Sequence, residues 1–128
     1  LSLRIRKLSE EPGEPMEGED TLGVNSVMVV PYMDDVSGFS ARLMRLNSGG
    51  HTGFHQHPRV HAVLVLRGRI RIETGDEVKH AEAGTVVSIP SKMQHRFFNP
   101  TDKTVAILVL NLYKKATETL SSEVEHRA

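Results

Sequence analysis

The sequence predicts an all-β domain, a barrel or a sandwich, and three observations predict it. Short apolar runs rich in β-branched residues recur at close spacing along the chain. Turn signals carrying glycine, asparagine or aspartate separate them. No long amphipathic helix interrupts the series. With 128 residues the chain has the length of one domain, enough to bury a core that needs no cross-links.

In chain order, residues 9–21 (SEEPGEPMEGEDT) hold prolines, glycines and acids with almost no apolar residue, and read as a surface segment or mobile arm. Residues 1–24 are therefore assigned to an N-terminal arm and first strand. The barrel itself is placed at 25–113. Its runs are Ser26–Tyr32, Phe39–Leu46, His61–Leu66, Arg69–Glu73, Thr85–Ile89, His95–Phe98 and Val105–Leu112. The turns between them are Asp34-Asp35, Ser48-Gly49-Gly50, Arg67-Gly68, Thr74-Gly75-Asp76, Ala83-Gly84 and Asn99-Pro100. In Arg69-Ile70-Arg71-Ile72-Glu73 charges and isoleucines alternate, as on a half-buried antiparallel strand. In Phe39–Leu46 the arginines Arg42 and Arg45 have opposite parity, so one of them is a candidate to point inward. Residues 114–128 form a polar tail in which Ala116, Leu120 and Val124 make one weak apolar stripe.

Composition excludes several function classes. Sixteen basic and sixteen acidic residues balance, which leaves no electrostatic footprint for nucleic acid or an anionic membrane. The absence of cysteine excludes disulfides, iron–sulfur clusters and thiol chemistry, and suits a reducing cytoplasm. No apolar run is long enough to span a membrane, and no leader pattern opens the sequence, so a cytoplasmic location is expected.

Histidine is the compositional exception: seven occur in a chain with no tryptophan and two tyrosines. Four fall in one pattern. Residues 49–68 read Gly49-(five)-His55-Gln56-His57-(three)-His61-(six)-Gly68, and residues 84–99 read Gly84-(five)-Pro90-Ser91-Lys92-(two)-His95-(three)-Asn99. His55 and His57, two apart on a strand, share a face. His61 has the same parity and joins them if the strand continues past a bend near Pro58. His95 must come from a neighbouring strand. Imidazole suits zinc, copper, iron, nickel and manganese, and four imidazoles leave one or two positions open on a five- or six-coordinate ion. Burying four imidazoles as mere packing would be costly.

The two segments resemble the paired motifs of the cupin superfamily in order, internal spacing and intervening gap, over about half the chain. Two positions depart: His61 stands where the family usually has glutamate, and Lys92 where it has glycine. The resemblance is nearest to small single-domain cupins with four histidines, in which His-x-His-Pro-x-x-His recurs, here as His55 to His61. It implies a double-stranded β-helix (jelly-roll) barrel and one divalent ion (manganese, iron, copper, zinc or nickel) on His55, His57, His61 and His95. An all-imidazole set leaves the ion's double charge undiminished, which strengthens it as a Lewis acid.

Phe54, Met93, Phe97, Ile107 and Val109 are candidates to line a pocket, with ordinary barrel core the favoured role. Arg42, Arg45, Arg59 and Gln56 are candidate anchors for an anionic substrate, although a solvated surface is the ordinary state of such residues. His51, His80 and His126 receive no role. The expected function is that of a metal-dependent oxygenase, dioxygenase-like, acting on a small organic substrate. Redox-neutral isomerase, lyase or hydrolase chemistry and non-catalytic binding of a small ligand or metal are the alternatives. No carboxylate lies inside the motifs, so the catalytic acid and base stay unassigned. The resemblance also implies a homodimer, which the Ile5–Leu8 segment could help to form.

Overall fold

A computed structural model of the chain describes residues 3–30, 38–55 and 60–112. Within them a 3-10 turn at Leu8–Glu10 precedes nine strands: β1 (Glu14–Pro15), β2 (Leu22–Val30), β3 (Phe39–His51), β4 (Val60–Arg67), β5 (Arg69–Thr74), β6 (Val78–Glu82), β7 (Val86–Ile89), β8 (His95–Phe98) and β9 (Val105–Leu112). All pairings are antiparallel, in the order β6-β5-β8-β3-β9-β4-β7, with β2 on the other edge of β3 and β1 on β2. The sheet rolls into a nearly closed barrel.

Register sets what lies inside. Across β3, β9 and β4 the rows are Ser40–Asn111–His61, then Arg42–Val109–Val63, then Met44–Ile107–Val65. Side chains directly opposite across an antiparallel pair share a face, so these rows stack down the interior. Leu46, Val105, Ile70, Ile72 and Phe97 complete the apolar end. Burying each of these large side chains stabilises the fold by roughly 1.5–3 kcal/mol. Below them the Arg67-Gly68 turn joins β4 to β5. Gly68 has φ +85°, and a Cβ there would stand 2.8 Å from Val105 Cγ2, so both torsion and space require glycine.

The sheet's outer face carries a second cluster, Val27, Leu43 and Ala106, packed against Leu8 and Val29. This face explains the two arginines of β3. Arg45 points outward and donates to the carbonyls of Leu8 and Glu11, both at 2.8 Å. Arg42 takes the interior face and donates to Ser26 Oγ at 3.0 Å. Arg45 is thus a tie for the arm and not a substrate anchor. Residues 9–21, read from the sequence as a surface segment or mobile arm, are held against the sheet by that tie, by β1 pairing with β2, and by Arg6 contacts to Glu11, Met28 and Val29.

Two elements differ from expectation. β3 runs through the Ser48-Gly49-Gly50 turn signal because Gly49, at φ +74°, kinks the strand into a bulge without reversing it. β6 (VKHAE) carries no alternating apolar pattern, because it is an edge strand in which only Ala81 is buried. The Asp34-Asp35 turn, Gln56, His57, Pro58, Arg59, and the 114–128 tail with Ala116, Leu120, Val124 and His126 lie outside the described residues. Among those described, no helix is long and apolar enough to cross a membrane.

Candidate metal centre

Two of the described histidines, His61 and His95, meet at the polar end of the barrel. β4 alternates strictly, so His61 faces inward with Val63 and Val65 and is only 6% exposed. β8 does the same with His95 and Phe97, at 5% and 4%. The two imidazoles meet inside the barrel with ring centroids 5.2 Å apart and planes at 68°. Phe97 packs 5.5 Å from the His95 ring and separates it from the apolar core below.

The chain following β3 pairs with β8 and delivers His55. Thr52 N donates to Phe97 O, Phe97 N donates to Thr52 Oγ1, and His55 and His95 exchange both backbone hydrogen bonds at 3.0 Å. A pair that exchanges both bonds has its side chains on one face, so His55 leaves the backbone on the same side as His95. Its Nε2 packs against Gly53, and His55 lines a groove of about 580 Å³ together with Glu19, Asp20 and Phe54.

One ring state follows from geometry alone. His95 Nδ1 lies 2.8 Å from the carbonyl oxygen of Met93. A carbonyl only accepts, so Nδ1 carries a proton, and in the neutral ring the lone pair is on Nε2. This is the arrangement of a metal-binding histidine, whose other nitrogen is fixed by an outer partner.

Beside His61, Asn111 donates from Nδ2 to Ser40 Oγ at 3.2 Å, and both side chains are buried. Sequence reading missed this polar row. Its signal was an asparagine at the inward parity of an otherwise apolar strand, two residues after Val109.

The structure therefore brings His61 and His95 together and sets His55 on their face. His57 lies outside the described residues. Among the described residues, no three histidine, aspartate or glutamate side chains stand close enough to hold an ion together. Of the candidate lining residues, Ile107 and Val109 belong to the buried core and Phe97 to the floor beneath His95. Phe54 and Met93 are 40% and 41% exposed. The Phe54 ring lies 5.4 Å from the Arg96 guanidinium, and Met93 contributes its carbonyl.

On the outer face, Glu73 bonds Arg71 at 2.7 Å and Arg96 at 2.9 Å. Burial pushes its carboxyl up, but the hydrogen bonds and charges of Arg96 and Arg71 outweigh this and hold it below the ordinary 4.5. Arg71 also stacks 4.2 Å over Phe98, whose other neighbour is the His51 ring at 6.3 Å.

A cupin domain family matches residues 42–111. A stretch of 69 residues is 29% identical to 1-methylthio-D-xylulose 5-phosphate methylsulfurylase of Rhodospirillum rubrum, covering 54% of this chain and 44% of that protein. The chain thus spans less than half the length of this relative. The polyketide cyclase RemF of Streptomyces resistomycificus superposes with a TM-score of 0.78 at 18% identity, over 91% of this chain and 82% of that one. A Cupin 2 conserved barrel domain protein of Salinispora arenicola gives 0.74 at 18% identity, over 98% of this chain and all of the other. At these identities the two structures speak to the fold.

Proposed function

The chain belongs to the cupin family, and on that premise we propose that its polar barrel end is the mononuclear metal centre of an enzyme acting on a small organic substrate, with oxygen activation as its first reaction. One observation carries the reading. Two buried imidazoles meet edge to face at 5.2 Å, and one has its Nδ1 proton held by a backbone carbonyl. Those residues fit a divalent transition ion, and His55, His57, His61 and His95 would hold it.

When bound, such an ion supplies Lewis acidity and an open position for substrate or oxygen. The chain supplies the rest. Met93 O holds the His95 ring in orientation and keeps its proton on Nδ1. Phe97 and the Met44–Ile107–Val65 row fill the barrel below, so the polar end is the side from which substrate would approach. Asn111 and Ser40 place hydrogen-bonding groups beside His61 for a polar substituent.

A second reading is redox-neutral Lewis-acid chemistry. The relative at 29% identity is a methylsulfurylase, a name that denotes group transfer and not oxygen use, and this keeps the second reading open. The two are separated by metal analysis of protein purified without added metal, combined with oxygen uptake on small carbonyl, enol and thiol compounds. Stoichiometric iron, manganese or copper with substrate-dependent uptake supports the oxygenase. Stoichiometric zinc without uptake replaces it with the second reading. A His57→Ala variant is expected to lose most of the metal, and full metal content in that variant would sink the ligand set.

A further inference from the structure

We propose that the Gly18–Thr21 turn of the N-terminal arm is a wall of the histidine site, seated on Gly53, and that it positions His55. The inference rests on the metal-centre reading for its consequence, but its geometry stands without a metal.

Gly53 is the telling residue. It is buried and lies outside the glycine positions of the two motifs. Its φ is not in the left-handed region, so torsion does not demand glycine there. Space does. A Cβ at Gly53 would stand 2.5 Å from the Glu19 carbonyl oxygen, 3.4 Å from His55 Nε2 and 3.6 Å from Asp20 Cβ. The first contact is with backbone, so no rotamer change relieves it. The arm and the segment that bears His55 therefore touch directly at the residue two before it, on the side where the His55 ring lies.

The turn reaches that point with fixed geometry. Thr21 N donates to Gly18 O at 3.3 Å, Met16 N donates to Val24 O at 2.8 Å, and Leu22 pairs with His51. Asp20 adopts φ +61°, a conformation aspartate tolerates better than most residues. The turn also brings Glu19 and Asp20 into the groove that His55 lines. The backbone of the turn does the positioning, and the two carboxylates supply a counter-charge. The imidazole set has no negative charge of its own, and nearby carboxylates favour a cation held beside them.

The test uses the full chain. In Gly53→Ala the arm must lift, and hydrogen exchange at the His55 and His95 amides is expected to quicken about tenfold or more, with Ile107 and Val109 unchanged. Cobalt(II) affinity should fall by at least about tenfold, the loss typical when an outer support of a metal ligand is removed. Gly75→Ala is the matched control, since nothing lies within 4 Å of its Cβ position and its φ is ordinary. It should change neither readout. The double variant Glu19→Gln/Asp20→Asn keeps the turn, because asparagine also tolerates the left-handed region. It should weaken cobalt binding several-fold at low salt and less in about 0.5 M salt, where charges are screened. Wild-type exchange at His55 in Gly53→Ala would overturn the proposal. Unaltered cobalt affinity in the double variant would overturn its electrostatic half. A wild-type chain that bound no cobalt would instead overturn the metal-centre reading, while the exchange result would still decide the seat on Gly53.

Discussion

His95 and Asn99 lie four residues apart in one motif, both are buried polar groups, and they do opposite work. Asn99 is fully buried and spends its amide on the chain itself. Its Nδ2 is shared among the carbonyls of Leu46, Asn47 and Lys103 at 2.9, 3.0 and 2.7 Å. Its Oδ1 accepts from Thr101 N and Thr101 Oγ1 at 2.8 and 2.7 Å. His95 commits one nitrogen to Met93 O and turns its ring toward His61. The motif thus has a structural end, where polarity is consumed internally, and an end that faces the proposed metal centre.

The strongest way to break that comparison is to remove each residue in turn. Asn99→Ala leaves three carbonyls, two in β3 and one in the loop between β8 and β9, without their shared donor, and is expected to cost about 3 kcal/mol in a urea melt. Metal stoichiometry should survive. His95→Ala should do the reverse, with a smaller loss of stability but a fall in cobalt(II) affinity of more than about 100-fold, beyond the range for outer supports. If both variants lost stability and metal together, the motif would not divide in this way.

Between the two ends, the outer face of β8 is clamped by Arg96 to Glu73, which also holds Arg71. A carboxyl held below its ordinary 4.5 in the folded chain contributes stability above that value and loses it as pH falls through the folded pKa. Glu73→Gln should therefore be less stable than the parent at pH 7. The gap between their melting temperatures should close as pH drops below about 4.5. A gap independent of pH would show that packing of the side chain, and not its charge, supports β8.

Much of this was legible in the sequence, for physical reasons that differ by residue. The apolar strands announced themselves because His61–Leu66 and Val105–Leu112 are short β-branched apolar runs bounded by turn residues, and Arg69–Glu73 alternates with a two-residue period. His61 and His95 were legible because imidazoles at inward strand positions and at motif spacing are costly to bury as packing alone. The choice between Arg42 and Arg45 was not legible. It depends on the arm packing over Val27, Leu43 and Ala106, and the arm's composition gave no sign of packing anywhere. β6 was hidden because an exposed edge strand needs no apolar alternation. Asn111 was hidden because a lone polar residue in an apolar run reads equally as a strand end.

The smallest predicted effect lies in the turn that leads to His95. Lys92 stands where the family pattern has glycine, and the turn is kept all the same, with Lys92 at φ +67°. A side chain in the left-handed region costs about 1–2 kcal/mol. Glycine removes that cost but adds entropy to the unfolded chain, an offset of about 0.5–1 kcal/mol. Lys92→Gly should therefore stabilise the fold by about 0.5–1 kcal/mol, visible as a small rise in the denaturant midpoint. The residue is exposed, so no packing is lost in the exchange. If the strain reached the Met93 carbonyl, the His95 ring would move as well. The structure keeps that carbonyl at 2.8 Å from Nδ1 despite the lysine. Metal affinity in Lys92→Gly should accordingly match the parent, and a large change would show that the turn's torsion, and not only its backbone oxygen, sets the His95 end of the motif.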